Sequence, residues 1–127
     1  MYKISVEDTF SAAHFLKDYH GKCANVHGHN WKIIVTVMTE KLDDAGIAFD
    51  FHDLRTVTRN AVNLLDHKNL NELEYFSYQN PTSENIARLL YVKIQEQLPQ
   101  YIKMSRIEVI ESDGCTITYS EEQYENK

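Results

Sequence analysis

Polar and apolar residues alternate near both ends of this chain and recur at helical spacing in its middle. In "YKISVEDTFSAAHF" the residues Ile4, Val6 and Phe10 share one phase, which is the period of a strand. "LKDYHGKCANV" reads as a loop, and "HGHNWKIIVTVMT" as a second strand with Trp31, Ile33, Val35 and Val37 on one face. "EKLDDAG" is a turn and "IAFDF" a short extended piece. From 53 to 65, Leu54, Val57, Ala61, Leu64 and Leu65 recur as on a helix, with Asp50 and Asp53 where start signals belong. A long connection over 67–80 follows.

"NPTSENIARLLYVKIQEQLP" predicts a second helix. Pro81 leads in, Thr82 or Ser83 can cap it, and Glu84 suits the positive end of the helix dipole. Its stripe is Ile86, Leu89, Leu90, Ile94 and Leu98, and Pro99 ends it. "RIEVIES" and "CTITYS" are strands, joined at Asp113-Gly114 by a hairpin signal. The order is strand, strand, helix, helix, strand, strand. It predicts an α+β fold: an antiparallel four-stranded sheet with two helices on one face. Such a sheet has two open edges, so pairing between subunits is expected.

Composition changes this picture little. The 127 residues suit one domain, 1–127, that buries its own core. A net charge of −6 gives no basic footprint for nucleic acid. "MYKISVEDTF" lacks a signal-peptide core and no run approaches a membrane span, so a soluble, cytoplasmic protein is expected. Cys23 and Cys115 form no CxxC pair, and a domain this size needs no disulfide.

The candidate chemistry begins with histidines. His27 and His29 are two apart on a predicted strand, so both rings point to one face, that of Trp31. Gly28 leaves the opposite face bare. Burying two such imidazoles without partners is costly, and a metal ion relieves this. His14 ends the first strand in phase with Ile4, Val6 and Phe10. If the first two strands form an antiparallel hairpin, it meets the other two. Three histidines with one open position would be a catalytic zinc site; four closed ligands would be structural. Cys23 precedes His27 by four residues. It fits either a fourth ligand or a thiolate whose pKa a nearby dication and Lys22 lower.

Two carboxylates stand in odd places. Asp66 closes the first predicted helix, where it opposes the dipole, and beside it His67 suits that end. An Asp on a His ring fixes the tautomer and makes the imidazole a better base. Glu111 shares the phase of Ile107 and Val109, so it needs a fork of donors: an arginine, or a ligand with adjacent N–H and NH2 groups. Cys115 reads as structural, and His20 and His52 find no role.

"FSAAH", C-x3-HGH, "DF" at 50–51, "LDH" at 65–67, "PTSEN" at 81–85 and "IES" at 110–112 together resemble the 6-pyruvoyl- and 6-carboxy-tetrahydropterin synthase family. The motifs run in order over nearly the whole chain. The resemblance implies the tunnelling fold (T-fold), with sheets of several subunits joined into a barrel, and a hexamer of two stacked trimers. It implies His14, His27 and His29 as zinc ligands and Cys23 as the proton-abstracting base. Asp66 and His67 become an acid–base pair donated by a neighbouring subunit, and Glu111 the anchor of the pterin ring. Thr82 and Ser83 line the pterin pocket, and Ser112 replaces the threonine common after that glutamate.

The implied substrate is 7,8-dihydroneopterin triphosphate, with Lys17, Lys22, Lys32, Lys68 and Arg55 as candidates for the triphosphate. C-x3-HGH and "NPTSE" resemble the carboxy-synthase branch of queuosine biosynthesis, which releases acetaldehyde. The alternatives are a pyruvoyl synthase, a non-catalytic zinc-stabilised oligomeric module, and a zinc hydrolase, for which no H-E-x-x-H helix exists.

Overall fold

The hairpin expected from the first two apolar runs is the spine of the computed structural model, which describes residues 1–21 and 24–121. Strands β1 (Tyr2–His14) and β2 (His27–Thr39) pair antiparallel along their full length, from Tyr2 opposite Thr39 to His14 opposite His27. Ile4, Val6, Phe10 and Ala12 of β1 are buried, as are Trp31, Ile33, Val35 and Val37 of β2. Alternation had placed most of these on one face.

Helix α1 (Phe51–Val62) packs on β1, and α2 (Ser83–Gln97) on β4 (Lys103–Ser112) and β5 (Cys115–Tyr119). Caps explain both starts: Asp50 accepts from the His52 N–H, and Thr82 accepts from the Asn85 N–H. Gly114, at φ +81°, lets the chain turn tightly between β4 and β5. Strands β2 and β4 are joined antiparallel with a bulge beside Thr36 and Val37.

The sheet has five strands rather than four, in the order β3-β1-β2-β4-β5. The addition, β3 (Lys68–Asn69), runs parallel to β1 opposite Ala12 and Ala13. Two residues carry no periodicity, so the expected loop concealed it. The remaining connection is pinned by Leu70 and Phe76, both buried. Helix α1 also ends earlier than its apolar spacing suggests. Leu64 and Leu65 follow in a tight turn, donating to the Ala61 and Val62 carbonyls, while Leu65 still reaches the core. Asp66 therefore does not close the helix; it lies beyond the last helical residue, Val62. Among the described residues, no helix is long and apolar enough to cross a membrane.

Candidate functional site

The end of the β1–β2 ladder assembles the histidines. His14 faces His27 across the pair, and His29 lies opposite Ala12. Ring centroids are 4.6 Å apart for His14–His27, 4.8 Å for His27–His29 and 5.4 Å for His14–His29. Trp31 forms the floor, with its ring 5.0 Å from His14 and 5.4 Å from His29. The indole stacks on Phe10 and donates to the Ala12 carbonyl.

Two of the rings have their orientation set by backbone. His14 Nδ1 is 2.7 Å from the Pro81 carbonyl, and His27 Nδ1 is 2.7 Å from that of Asn25. A carbonyl can only accept, so Nδ1 carries the proton in both and Nε2 is left as a lone-pair donor. That second contact is the common support of a metal-binding imidazole.

Glu111 joins them from β4. Its Oε1 is 2.8 Å from His29 Nε2 and 3.3 Å from His14 Nε2, and its Oε2 accepts from the Ser83 hydroxyl at 3.1 Å. The alignment makes neither imidazole contact a hydrogen bond: His14 Nε2 and His29 Nε2 are buried polar atoms without one. Burial lowers the His29 pKa; the Glu111 charge opposes this, while His27 and His14 add to it. One ligand atom from each of His14, His27, His29 and Glu111 lies within 4.8 Å of the others, a group that could hold a metal ion. Nitrogen-rich, neutral donors with one carboxylate suit zinc.

Asp66 and His67 gather separately. The Asp66 Oδ1 accepts from the Ser11 N–H at 2.9 Å and lies 2.9 Å from His67 Nδ1. Its Oδ2 takes Arg59. The Ser11 N–H, then the Arg59 guanidinium and the His67 ring, hold the Asp66 carboxyl below the usual carboxylate range against the opposing effect of burial. His67 has the left-handed φ of 60°, and its N–H donates to the Ser11 carbonyl at 2.6 Å. A non-glycine in that region is strained and persists where its surroundings fix it. The His67 ring is 81% exposed. With Lys68, Gly28, His29 and Asn30 it borders a hollow of about 440 Å³. Among the described residues, no ring contact or hydrogen bond joins it to the three clustered histidines.

The other expected residues are distributed differently. Thr82 caps α2 and Ser83 is bonded to Glu111. Lys32 is paired with Glu7 at 3.2 Å. Cys23 and Lys22 lie outside the described residues. Sequence reasoning missed the clasps on the segment after His14. Asn71 bonds both the N–H and the carbonyl of Phe15, and Asn80 does the same for Lys17. It also missed Arg59, although a signal existed. Asp8 shares the buried phase of Val6 and Phe10 and demands a cation as Glu111 demands donors.

Antiparallel strands that join a histidine trio to a carboxylate, with helices on one face, are the T-fold in its pterin-synthase form. The profile of the 6-pyruvoyl tetrahydropterin synthase family matches residues 3–122, and the chain belongs to that family. It is similar to the 6-pyruvoyl tetrahydrobiopterin synthase of Homo sapiens, 34% identical over 134 residues, covering 94% of this chain and 92% of that one. It is similar also to the 6-carboxy-5,6,7,8-tetrahydropterin synthase of Bacillus subtilis, 33% identical over 102 residues, covering 76% and 68%. The solved 6-pyruvoyl tetrahydropterin synthase of Caenorhabditis elegans superposes with a TM-score of 0.84 at 26% identity, over 95% of this chain and 96% of that one.

Proposed function

We propose that this protein is a zinc-dependent 6-carboxy-5,6,7,8-tetrahydropterin synthase. It converts 7,8-dihydroneopterin triphosphate and water to 6-carboxytetrahydropterin, acetaldehyde and triphosphate. The observation that carries the reading is the pair of buried, unbonded imidazole nitrogens on His14 and His29, which share one centre with His27 and Glu111. Among the described residues nothing gives those atoms a hydrogen bond, which is a cost that a bound metal ion would relieve.

His14, His27 and His29 would hold the zinc, His14 and His27 offering Nε2 because a backbone carbonyl engages Nδ1. When bound, the metal supplies Lewis-acid polarisation of the substrate's side-chain hydroxyls. Glu111 holds the pterin ring through its 2-amino and N3–H groups, kept in place by the Ser83 hydroxyl. The family resemblance of C-x3-HGH supports Cys23 as the base that removes a carbon-bound proton rather than as a ligand, with the three imidazoles as the zinc set. His67 keeps Nδ1 on Asp66 and moves protons at Nε2, helping triphosphate to leave. Lys68, beside His67 at the same hollow, is favoured for the triphosphate over Lys32, which Glu7 already pairs. That no hydrogen bond or ring contact joins His67 to the histidine trio, among the described residues, supports a site completed by a neighbouring copy. The open edge of β1 below Ser11 supports sheets joined into a hexamer of stacked trimers.

The branch rests on C-x3-HGH and "NPTSE". A pyruvoyl synthase is the second reading, favoured by the human relative's identity over 94% of the chain. Incubation of the zinc-loaded protein with dihydroneopterin triphosphate decides. Acetaldehyde with a carboxypterin is expected. A pyruvoylpterin without acetaldehyde gives the second reading, and no turnover with zinc retained leaves a non-catalytic module.

A further inference from the structure

The acid at position 8 sits on the buried face of β1, between Val6 and Phe10, and α1 answers it with Arg59. All three guanidinium nitrogens are used. Nε donates to Asn63 Oδ1 at 3.0 Å, and Nη1 to Asp8 Oδ1 at 3.1 Å and the Thr9 carbonyl at 3.0 Å. Nη2 donates to Asp66 Oδ2. One planar fork thus joins β1, α1 and the turn that carries Asp66. The division of labour on Asp66 follows. Arg59 occupies Oδ2, while Oδ1 receives the Ser11 N–H and stands 2.9 Å from His67 Nδ1.

We propose that Arg59 is a positioning residue for the Asp66–His67 pair: by fixing Oδ2, it turns Oδ1 onto His67 Nδ1 and leaves Nε2 as the working nitrogen. The inference rests on the acid–base reading of that pair. A carboxylate held at one oxygen only can swing about its bond, and His67 is too exposed for packing to restrain it. Its strained backbone adds a second restraint, through the Ser11 carbonyl. The charges facing Asp66 are Arg59 from α1 and His67 beside it; β1 presents the Ser11 backbone, and Asp8 reaches Asp66 only through Arg59. Arg59 therefore stands between two carboxylates and moderates the negative charge that His67 meets.

The alternative is a clamp that only ties α1 to β1, and the two roles separate. Arg59→Met keeps the aliphatic stem and removes the fork. It is expected to lower kcat roughly tenfold, as loss of an outer-shell partner does, with KM within about twofold and zinc content unchanged. The acidic limb of the kcat profile moves to higher pH, because Asp66 loses a cation that favours its ionised form. In 15N-histidine-labelled protein, the His67 Nε2–H tautomer appears beside Nδ1–H. Asp8→Asn loosens the α1–β1 tie; it is expected to lower Tm without moving the acidic limb or the tautomer. Should Arg59→Met fail to fold, Arg59→Lys keeps the charge but cannot span Asp8 and Asp66 together, and the tautomer shift is expected there. A wild-type acidic limb and a single Nδ1–H tautomer in the folded variant overturn the proposal. His67→Ala with full turnover would instead remove the acid–base reading, while the tautomer measurement, which needs no substrate, still judges Arg59.

Discussion

Burial holds the His29 pKa down, with Glu111 opposing and the other two histidines reinforcing. The sign is that of a group kept neutral by folding. Below about pH 6.5, the ordinary histidine value, the unfolded chain takes up the proton that folded His29 resists. Stability from this source is present above that pH and is lost on acidification. The metal-free protein is expected to show a falling Tm between about pH 7 and 5, and His29→Gln to flatten part of that slope. A variant with the wild-type slope would contradict it. The residue scale was partly legible in the sequence. His14, His27 and His29 were readable because strand period and hairpin register are local rules. Glu111 was readable as an anomaly, but not its place among the imidazoles, which depends on β4 lying next to β2.

Helix α2 does more at the site than its apolar stripe suggests. The residue before its cap supplies the Pro81 carbonyl to His14 and its first turn the Ser83 hydroxyl to Glu111, while Thr82 caps it. Thr82→Ala is expected to destabilise the fold by about 1 kcal/mol, the usual worth of such a cap. It should also weaken zinc affinity, because His14 Nδ1 loses a fixed acceptor. Denaturant unfolding and chelator competition measure the two. Unchanged zinc affinity in a destabilised variant would separate the cap from the site. Element types were legible from period and caps; element ends were less so. Leu64 and Leu65 continue the helical spacing of α1 but occupy a turn, because burial rewards their position whatever the backbone does. The strand β3 was invisible, since its two residues are held by β1 and not by their own sequence.

At the scale of the molecule, one chain holds two clusters, His14–His27–His29–Glu111 and the Asp66–His67 pair, with no hydrogen bond or ring contact between them among the described residues. A site shared between copies predicts complementation. His27→Ala and His67→Ala are each expected to lose activity alone. Assembled from mixed, dissociated subunits, they should regain a fraction, because some interfaces then combine an intact cluster from each. No recovery in oligomers shown by mass to be mixed would place both clusters in one chain's site.

Motif order determined the family, because its motifs sit in short stretches whose spacing is legible without the packing. Alternation likewise determined which face of β1, β2 and β4 is buried. Only the tertiary structure decided which groups answer one another: Pro81 for His14, Ser83 for Glu111, Arg59 for Asp8 and Asp66. Those pairs lie 67, 28, 51 and 7 residues apart. A buried charge announces in the sequence that it needs a partner; which partner it finds is settled by the packing of helices on the sheet.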